Sequence, residues 1–279
     1  MILVIGATGT VGRAVVAQLL EAGAPVRAMT RDPEAAGLPG GVEVVRGDLT
    51  APADLDRCLG GVESVFLVWT APPAAAPAAV ERIAAHVRRL VYLTAPHRTP
   101  HPFFQQPNPV AAMHAENERL IDASGLRRTF LRPGMFAANV LPWWAAQIRA
   151  GDVVRWPYAD APTAPIHERD IAAVAAAALL DGRHDGADYV LTGPESLTHR
   201  DQVRIIGEVL GRALRYEEMS PDDARREWKI PPPVVNMLLD AWAAALGQPA
   251  YMTVTVEEVT GKPARPFRQW VADHAGELA

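Results

Sequence analysis

The feature that most constrains this chain is its opening, ILVIGATGTVGRAVVAQLLEAG, in which Gly6, Gly9 and Gly12 separate a β-branched run from an amphipathic one. Val15 and Leu19, like Val16 and Leu20, recur at i and i+4, so the second run predicts a helix with one apolar stripe, ended by Gly23. A glycine triplet in a strand-to-helix turn has a physical task at each position. Gly6 permits the sharp turn, Gly9 lets backbone approach a pyrophosphate, and Gly12 lets the helix pack against the strand. Free N–H groups at the helix start and the positive end of its dipole then face the phosphates, which gives Thr8, Thr10 and Val11 a place in the same cradle.

The same alternation continues to about Leu131 through VRAMT, VEVV, PADLDRCL, VESVFLVW, AAVERIAAHV, LVYLT, VAAMHAENERLIDAS and RTFLR. Strands alternating with helices predict an α/β fold of the Rossmann type, a doubly wound parallel sheet covered on both faces. After Phe136 the rhythm changes, so residues 1–134 read as a nucleotide-binding domain and 135–279 as a smaller α/β C-terminal substrate lobe, interleaved with the sheet as one folding unit. DVVRW, the helix led by His167 and capped by Asp170, and DYVLT fall in that later part. The proline-rich stretch Ala95–Pro109 reads equally as a lid or as a rigid crossover.

Composition excludes several classes. A net charge of −5 without blocks of Lys or Arg leaves no electrostatic footprint for nucleic acid or an anionic membrane. Cys58 is the only cysteine, which rules out an internal disulfide and a thiolate metal set. His97 and His101 are four apart, but Pro100 and Pro102 preclude the helix that would join them as metal ligands. The start lacks an export signal and the most apolar run, from Ile171, is too short to span a bilayer, so a cytoplasmic protein is expected, monomeric or homodimeric, with a small-molecule substrate.

Near the end of the second strand, Arg31 is placed to fork onto a 2′-phosphate, which points to NADP(H) over NAD(H), although Asp32 beside it could serve a ribose. Asp48, with Leu49 after it, stands where a side chain meets an adenine, or caps the next helix, a task for which Thr50 is better placed. Trp69 and Thr70 end the fourth strand and Thr94 the fifth, so all three are expected to flank the ribose or nicotinamide. In RPGMFAANVLPWW, the residues Met135, Phe136, Asn139 and Trp143 are candidates for a flat apolar substrate pocket, with Trp144 beside them and Arg132 structural.

With GATGTVG, VRAMTRDP, VVRGDLT, LVYLTAP, HAENERLIDASGL, FLRPGMFAAN and HERDIAAV in order, the chain resembles the atypical short-chain dehydrogenase/reductases, specifically the NmrA-like group with its quinone and azo-dye reductase relatives. The resemblance implies a Rossmann fold, NADP(H) binding and a cleft between sheet and lobe. Catalytic members of the wider superfamily use a Ser or Thr, matched by Thr94, and a Tyr four residues before a Lys. Here the Lys position is matched by His114 and the Tyr position by Val110, and with Lys229 and Lys262 the only lysines, no Tyr precedes a Lys by four anywhere. The expectation is an oxidoreductase that reduces a planar conjugated acceptor such as a quinone, whose reduced oxygens are weakly basic, with Thr94 and His114 at the ribose and substrate oxygen. A non-redox cyclase or epimerase of a secondary metabolite and an NADP(H)-binding redox sensor are the alternatives.

Overall fold

The computed structural model describes all residues 1–279. The first half runs β1 Ile2–Ile5, α1 Thr10–Glu21, β2 Val26–Thr30, β3 Glu43–Arg46, α2 Pro52–Leu59, β4 Ser64–Val68, α3 Ala76–His86, β5 Arg89–Leu93, α4 Pro109–Ala123 and β6 Arg127–Pro133. The second half runs α5 Ala146–Ala150, β7 Val153–Trp156, β8 Pro162–Thr163, α6 Glu168–Leu180, β9 Asp188–Leu191, β10 Leu197–Thr198, α7 His199–Leu210, β11 Arg215–Glu218, α8 Pro221–Glu227, α9 Pro232–Ala245, α10 Thr255–Thr260, α11 Phe267–Asp273 and α12 Ala275–Leu278.

Seven parallel strands form one sheet in the order β3-β2-β1-β4-β5-β6-β9. The order reverses direction at β1, and the carboxyl ends of β1 and β4 open a crevice there, the place where doubly wound sheets take ligands. Strands such as Ile2–Ile5 and Ser64–Val68 are buried on both faces, as their unbroken apolar runs require. One apolar layer places Val15, Val16 and Leu19 of α1 with α6 on one face; the other places α2, α3 and α4 on the opposite face.

Two elements expected in the lobe belong to the sheet instead. DYVLT supplies β9, paired in parallel with β6, and the alanine-rich run from Ile171 forms α6, which lies beside α1. The reason is that a helix apolar all round needs more than one partner, and the sheet together with α1 supplies them. The capping expectation for α6 is also corrected. His167 is the N-cap, its ring accepting from the Arg169 N–H, whereas Asp170 sits within the first turn, buried, and accepts from the backbone N–H of Arg265 at 2.7 Å and from that arginine's guanidinium.

The lobe has its own core. Trp143 and Trp228 stack on Trp156, Trp242 meets all three edge-on, and Trp144 contacts Trp156 and His199. The C-terminal helices then latch onto the start of α6. His274 lies between two carboxylates, Nε2 to Glu168 at 2.8 Å and Nδ1 to Glu277 at 2.6 Å, and stacks on Trp270, whose indole N–H donates to Glu168 at 2.9 Å. Burial lowers the His274 pKa, but the bonds to Glu277 and Glu168 outweigh it and hold the imidazole above its usual range. For Glu168, burial raises the pKa, and the adjacent His167 imidazole, the helix-start backbone and the hydrogen bond to His274 reverse this and take it to about 2.

A raised folded-state pKa means that the His274 contribution is complete below the unfolded value of about 6.5 and disappears as pH rises through the folded value. The stability difference between the native chain and His274→Gln, measured by urea denaturation, should therefore be largest in mildly acid solution and shrink in alkaline solution. A difference independent of pH would show that the latch is held by packing alone.

Candidate functional site: a nucleotide crevice beside a buried ionic network

Gly6, at φ +85°, turns the chain out of β1, and a Cβ there would lie 2.8 Å from the Val68 Cβ. Gly12 has the stricter requirement: a Cβ on it would meet the Gly6 carbonyl oxygen at 2.0 Å, so α1 packs onto the loop only without a side chain. A Cβ on Gly9 has no neighbour nearer than 3.5 Å, which leaves that backbone open to an approaching group. Gly9 is also the N-cap of α1, with no side chain satisfying the first N–H groups and no acidic residue in the first turn. Arg13 braces the loop from below, donating to the carbonyls of Thr8, Ala36 and Gly37 at 3.0, 2.7 and 2.7 Å.

The loop forms one wall of a cleft of about 480 Å³ at the switch point of the sheet. Of the residues expected around a nucleotide, Gly6, Thr8, Gly9, Arg31, Asp48, Leu49 and Thr70 line it. Thr10 faces a neighbouring groove, between α1, α6 and the C-terminal helices. Val11 and Gly12 lie beneath, and Trp69 is buried in the core with only its backbone available to the crevice. Arg31 and Asp32 are both exposed and both line the cleft, and the Asp32 carboxylate also accepts the Ala35 N–H at 3.4 Å. Asp48 caps no helix: its carboxylate accepts the Thr50 N–H and hydroxyl, both at 2.8 Å, and these bonds, the backbone one first, hold its pKa below the usual range. Thr50 does not cap either, since the N-cap of α2 is Ala51, without a side-chain bond.

Sequence reasoning missed Gly47 in this wall. Its Cβ would strike Cys58 Sγ and the Met29 side chain at 2.8 Å, so only glycine lets β3 turn toward Asp48. The signal available was the glycine of VVRGDL itself.

Past the crevice, the carboxyl ends of β5 and β6 carry a network that the sequence only partly announced. Arg132, in β6, forks onto Glu118 of α4 at 2.6 and 2.9 Å, with both side chains almost wholly buried. Thr94, just after β5, donates its hydroxyl to the same carboxylate at 2.6 Å, and Arg132 also donates to the Ala95 carbonyl at 3.2 Å. Glu118 is thus no surface partner of His114, as i and i+4 spacing would allow. It is a fully buried anchor, and the Thr94 hydroxyl is committed to it.

His114 bonds elsewhere. Asn117 donates to the Tyr92 hydroxyl at 2.9 Å, so the Tyr92 proton is directed at His114 Nδ1, 2.6 Å away, and the imidazole keeps its own proton on Nε2. Burial takes its pKa to about 4, with the opposing charge of Glu118 a smaller effect, so the ring is neutral in neutral solution. What this arrangement offers chemically is a fixed N–H donor, without a positive charge, next to a dry ion pair.

The Ala95–Pro109 loop docks on the lobe. Its short helical turn Pro102–Phe104 is capped by His101, whose Nε2 donates to the Pro249 carbonyl at 3.1 Å, while Phe103, Phe104 and Tyr251 pack edge to face. Met135 and Gly134 border these rings, and Asn139 is turned onto the Met135 sulfur at 3.0 Å. Phe136 pairs with Ile166 in a single bridge and packs on the sheet core. Trp143 stands apart from the other three substrate candidates, in the tryptophan cluster of the lobe. Aromatic residues at helical spacing here serve the core, which the composition of WW alone does not distinguish from a pocket.

Sheet order, glycine turn and crevice define a dinucleotide-binding α/β protein. The chain belongs to the NAD(P)H-binding family, matched over residues 6–182. It is 44% identical over its full length, and 99% of that protein's, to the (4-alkanoyl-5-oxo-2,5-dihydrofuran-3-yl)methyl phosphate reductase of Streptomyces griseus. It is 32% identical, over 99% of this chain and 98% of the other, to the NAD(P)H azoreductase of Xenophilus azovorans. Among solved structures, the NADPH complex of the quinone oxidoreductase QOR2 from Escherichia coli superposes with a TM-score of 0.82 over 98% and 99% of the two chains, at 24% identity, which shows a shared fold. The NmrA-like resemblance, with its azo and quinone reductase relatives, is borne out, and the chain is an NAD(P)H-dependent oxidoreductase by family. No helix is long and apolar enough to cross a membrane.

Two outcomes follow from the geometry. Glu118→Ala leaves the Arg132 guanidinium buried without its partner and should cost about 3–5 kcal/mol in chemical denaturation. His114, followed by proton NMR, should show no titration between pH 5 and 8; a midpoint near neutrality would mean that its bond to Tyr92 is not made.

Proposed function

We propose that this protein is an NADPH-dependent reductase of planar, conjugated, electron-poor acceptors, with an acylated butenolide of the kind named for the Streptomyces griseus relative as the first substrate to test and quinones the second. The observation that carries the reading is the pairing of a glycine-built crevice with a buried Arg132–Glu118–Thr94 network in place of a Tyr–Lys proton relay.

The residues present suit the coenzyme. Gly6, Gly9 and the uncapped start of α1 would hold a pyrophosphate, Asp48 and Leu49 the adenine, and Arg31 a 2′-phosphate, its exposed guanidinium lining the cleft while the neighbouring Asp32 carboxylate accepts the Ala35 N–H. Bound NADPH supplies a hydride. The chain's own residues must then orient the acceptor and steady the negative charge that appears on it. The His114 Nε2–H is a neutral donor suited to an acceptor oxygen or a ribose hydroxyl, and the Thr94 hydroxyl proton is committed to Glu118.

The acceptor class follows from what is missing. An alkoxide needs a positioned acid, and no tyrosine–lysine pair exists to provide one. Reduction at carbon 3 of an acylated butenolide leaves the charge on carbon 4, between the ring carbonyl and the alkanoyl carbonyl, and such a doubly conjugated enolate is a far weaker base. The same holds for a quinol oxygen. One donor hydrogen bond and solvent protons suffice for both.

Transfer from 4-deuterated NADPH should place one deuterium on carbon 3 of the butenolide, read by mass spectrometry. Absence of coenzyme oxidation with butenolides and quinones alike would end the reading. Arg31→Ala should raise KM for NADPH by about 10- to 100-fold, the value of a charge-assisted hydrogen bond, while leaving the KM for NADH nearly unchanged. Equal losses with both coenzymes would remove Arg31 from the 2′-phosphate.

A further inference from the structure

At the carboxyl end of β5 the positive charges are unequal in what they do. Arg132 is consumed by its fork on Glu118. His101 is tied to the Pro249 carbonyl. Arg98 alone remains spare: its guanidinium is 57% exposed and reaches the nearest carboxylate oxygen, on Glu118, only across 3.5 Å. The wider set is balanced, Arg98, Arg132 and Arg128 against Glu118, Asp188 and Asp122, with Arg128 bridging the two aspartates at 2.8 and 2.9 Å, and what distinguishes Arg98 is that it is the cation left open to solvent.

A second observation points the same way. His97 Nδ1 lies 3.0 Å from the Ala95 carbonyl and therefore donates to it, which leaves the lone pair on Nε2. That nitrogen is buried, has no hydrogen-bond partner, and faces the Glu118 carboxylate at 3.6 Å. Two acceptors face each other across a gap that one proton would fill. Burial keeps the ring neutral, aided by the charges of Arg132 and Arg98 and opposed by Glu118. An anion bound at Arg98 would cancel part of that positive charge and favour the proton. A buried polar atom left unpaired costs stability, and here ligand binding removes the cost.

We infer that Arg98 and His97 form the subsite for a phosphate monoester carried by the acceptor, Arg98 by direct pairing and His97 as a positioning residue that gains a proton, shared with Glu118, when the dianion arrives. The inference rests on the reductase reading and narrows its substrates to phosphorylated ones. The groups that set the His97 charge are Glu118 and His114 from α4, Arg132 from β6, and Arg98 and the Ala95 carbonyl from its own loop.

The test compares the native chain, Arg98→Gln and Arg98→Lys on a butenolide phosphate, its dephosphorylated alcohol and a quinone, with NADPH affinity measured by calorimetry. Arg98→Gln should raise KM for the phosphate ester about 10- to 100-fold, the loss expected for a hydrogen-bonded charge pair, with Arg98→Lys recovering part of it. The alcohol, the quinone and the NADPH affinity should be unaffected. In the coenzyme-free protein, inorganic phosphate should shift the His97 ring resonances toward the protonated form in the native chain and not in Arg98→Gln. A native chain that treats ester and alcohol alike, a variant that retains the preference, or a loss of NADPH affinity, which would give Arg98 to the coenzyme, each overturns the inference. If none of the three acceptors oxidises NADPH, the reductase reading fails instead.

Discussion

The fork of Arg132 on Glu118 is the interaction on which the working edge of the sheet depends. It joins β6 to α4, takes in the hydroxyl of Thr94 after β5, and through the Ala95 carbonyl fixes the first residue of the long loop. Removing two charges from water is expensive, and such a pair contributes little net stability over a well-packed apolar one. Its physical value is direction. Each of its hydrogen bonds has a set angle, so three segments, Thr94–Ala95, α4 and β6, are held in one orientation, and the loop that carries His97 and Arg98 begins from a fixed point.

The glycine loop shows the opposite device, precision by absence of atoms. Gly12 against the Gly6 carbonyl and Gly47 against Met29 and Cys58 are contacts that any Cβ would prevent. They bring the start of α1 and the turn after β3 close enough to form a crevice, with backbone rather than side chains as its floor. The charged groups that line it are Arg31, Asp32 and Asp48.

Much of this was legible because local pattern and tertiary role coincide. The strand-helix rhythm to Leu131 is a local pattern, and the three glycines, Arg31 and Asp48 lie in or beneath one crevice, each close to a strand end that the sequence marks. DYVLT and the alanine-rich helix were assigned to the wrong layer because nothing local says which surface an apolar segment will cover; that is decided by the sheet and α1 together. The Glu118–Arg132 fork was hidden for a related reason. Glu118 is four residues from His114 and fourteen from Arg132, and nothing in the spacing points from α4 to the end of β6. Tryptophans 143 and 144 read as a pocket until Trp156, Trp228 and Trp242, remote in sequence, closed around them.

The return of the chain to the sheet for α6 and β9 has a mechanical consequence. Backbone leaves the sheet after Pro133, comes back at Glu168, departs again after Leu191, and is finally stitched to α6 by Arg265 and His274. A lobe laced to its platform at so many points has no single pivot. A hinge swinging the two apart would have to break several of these crossings at once.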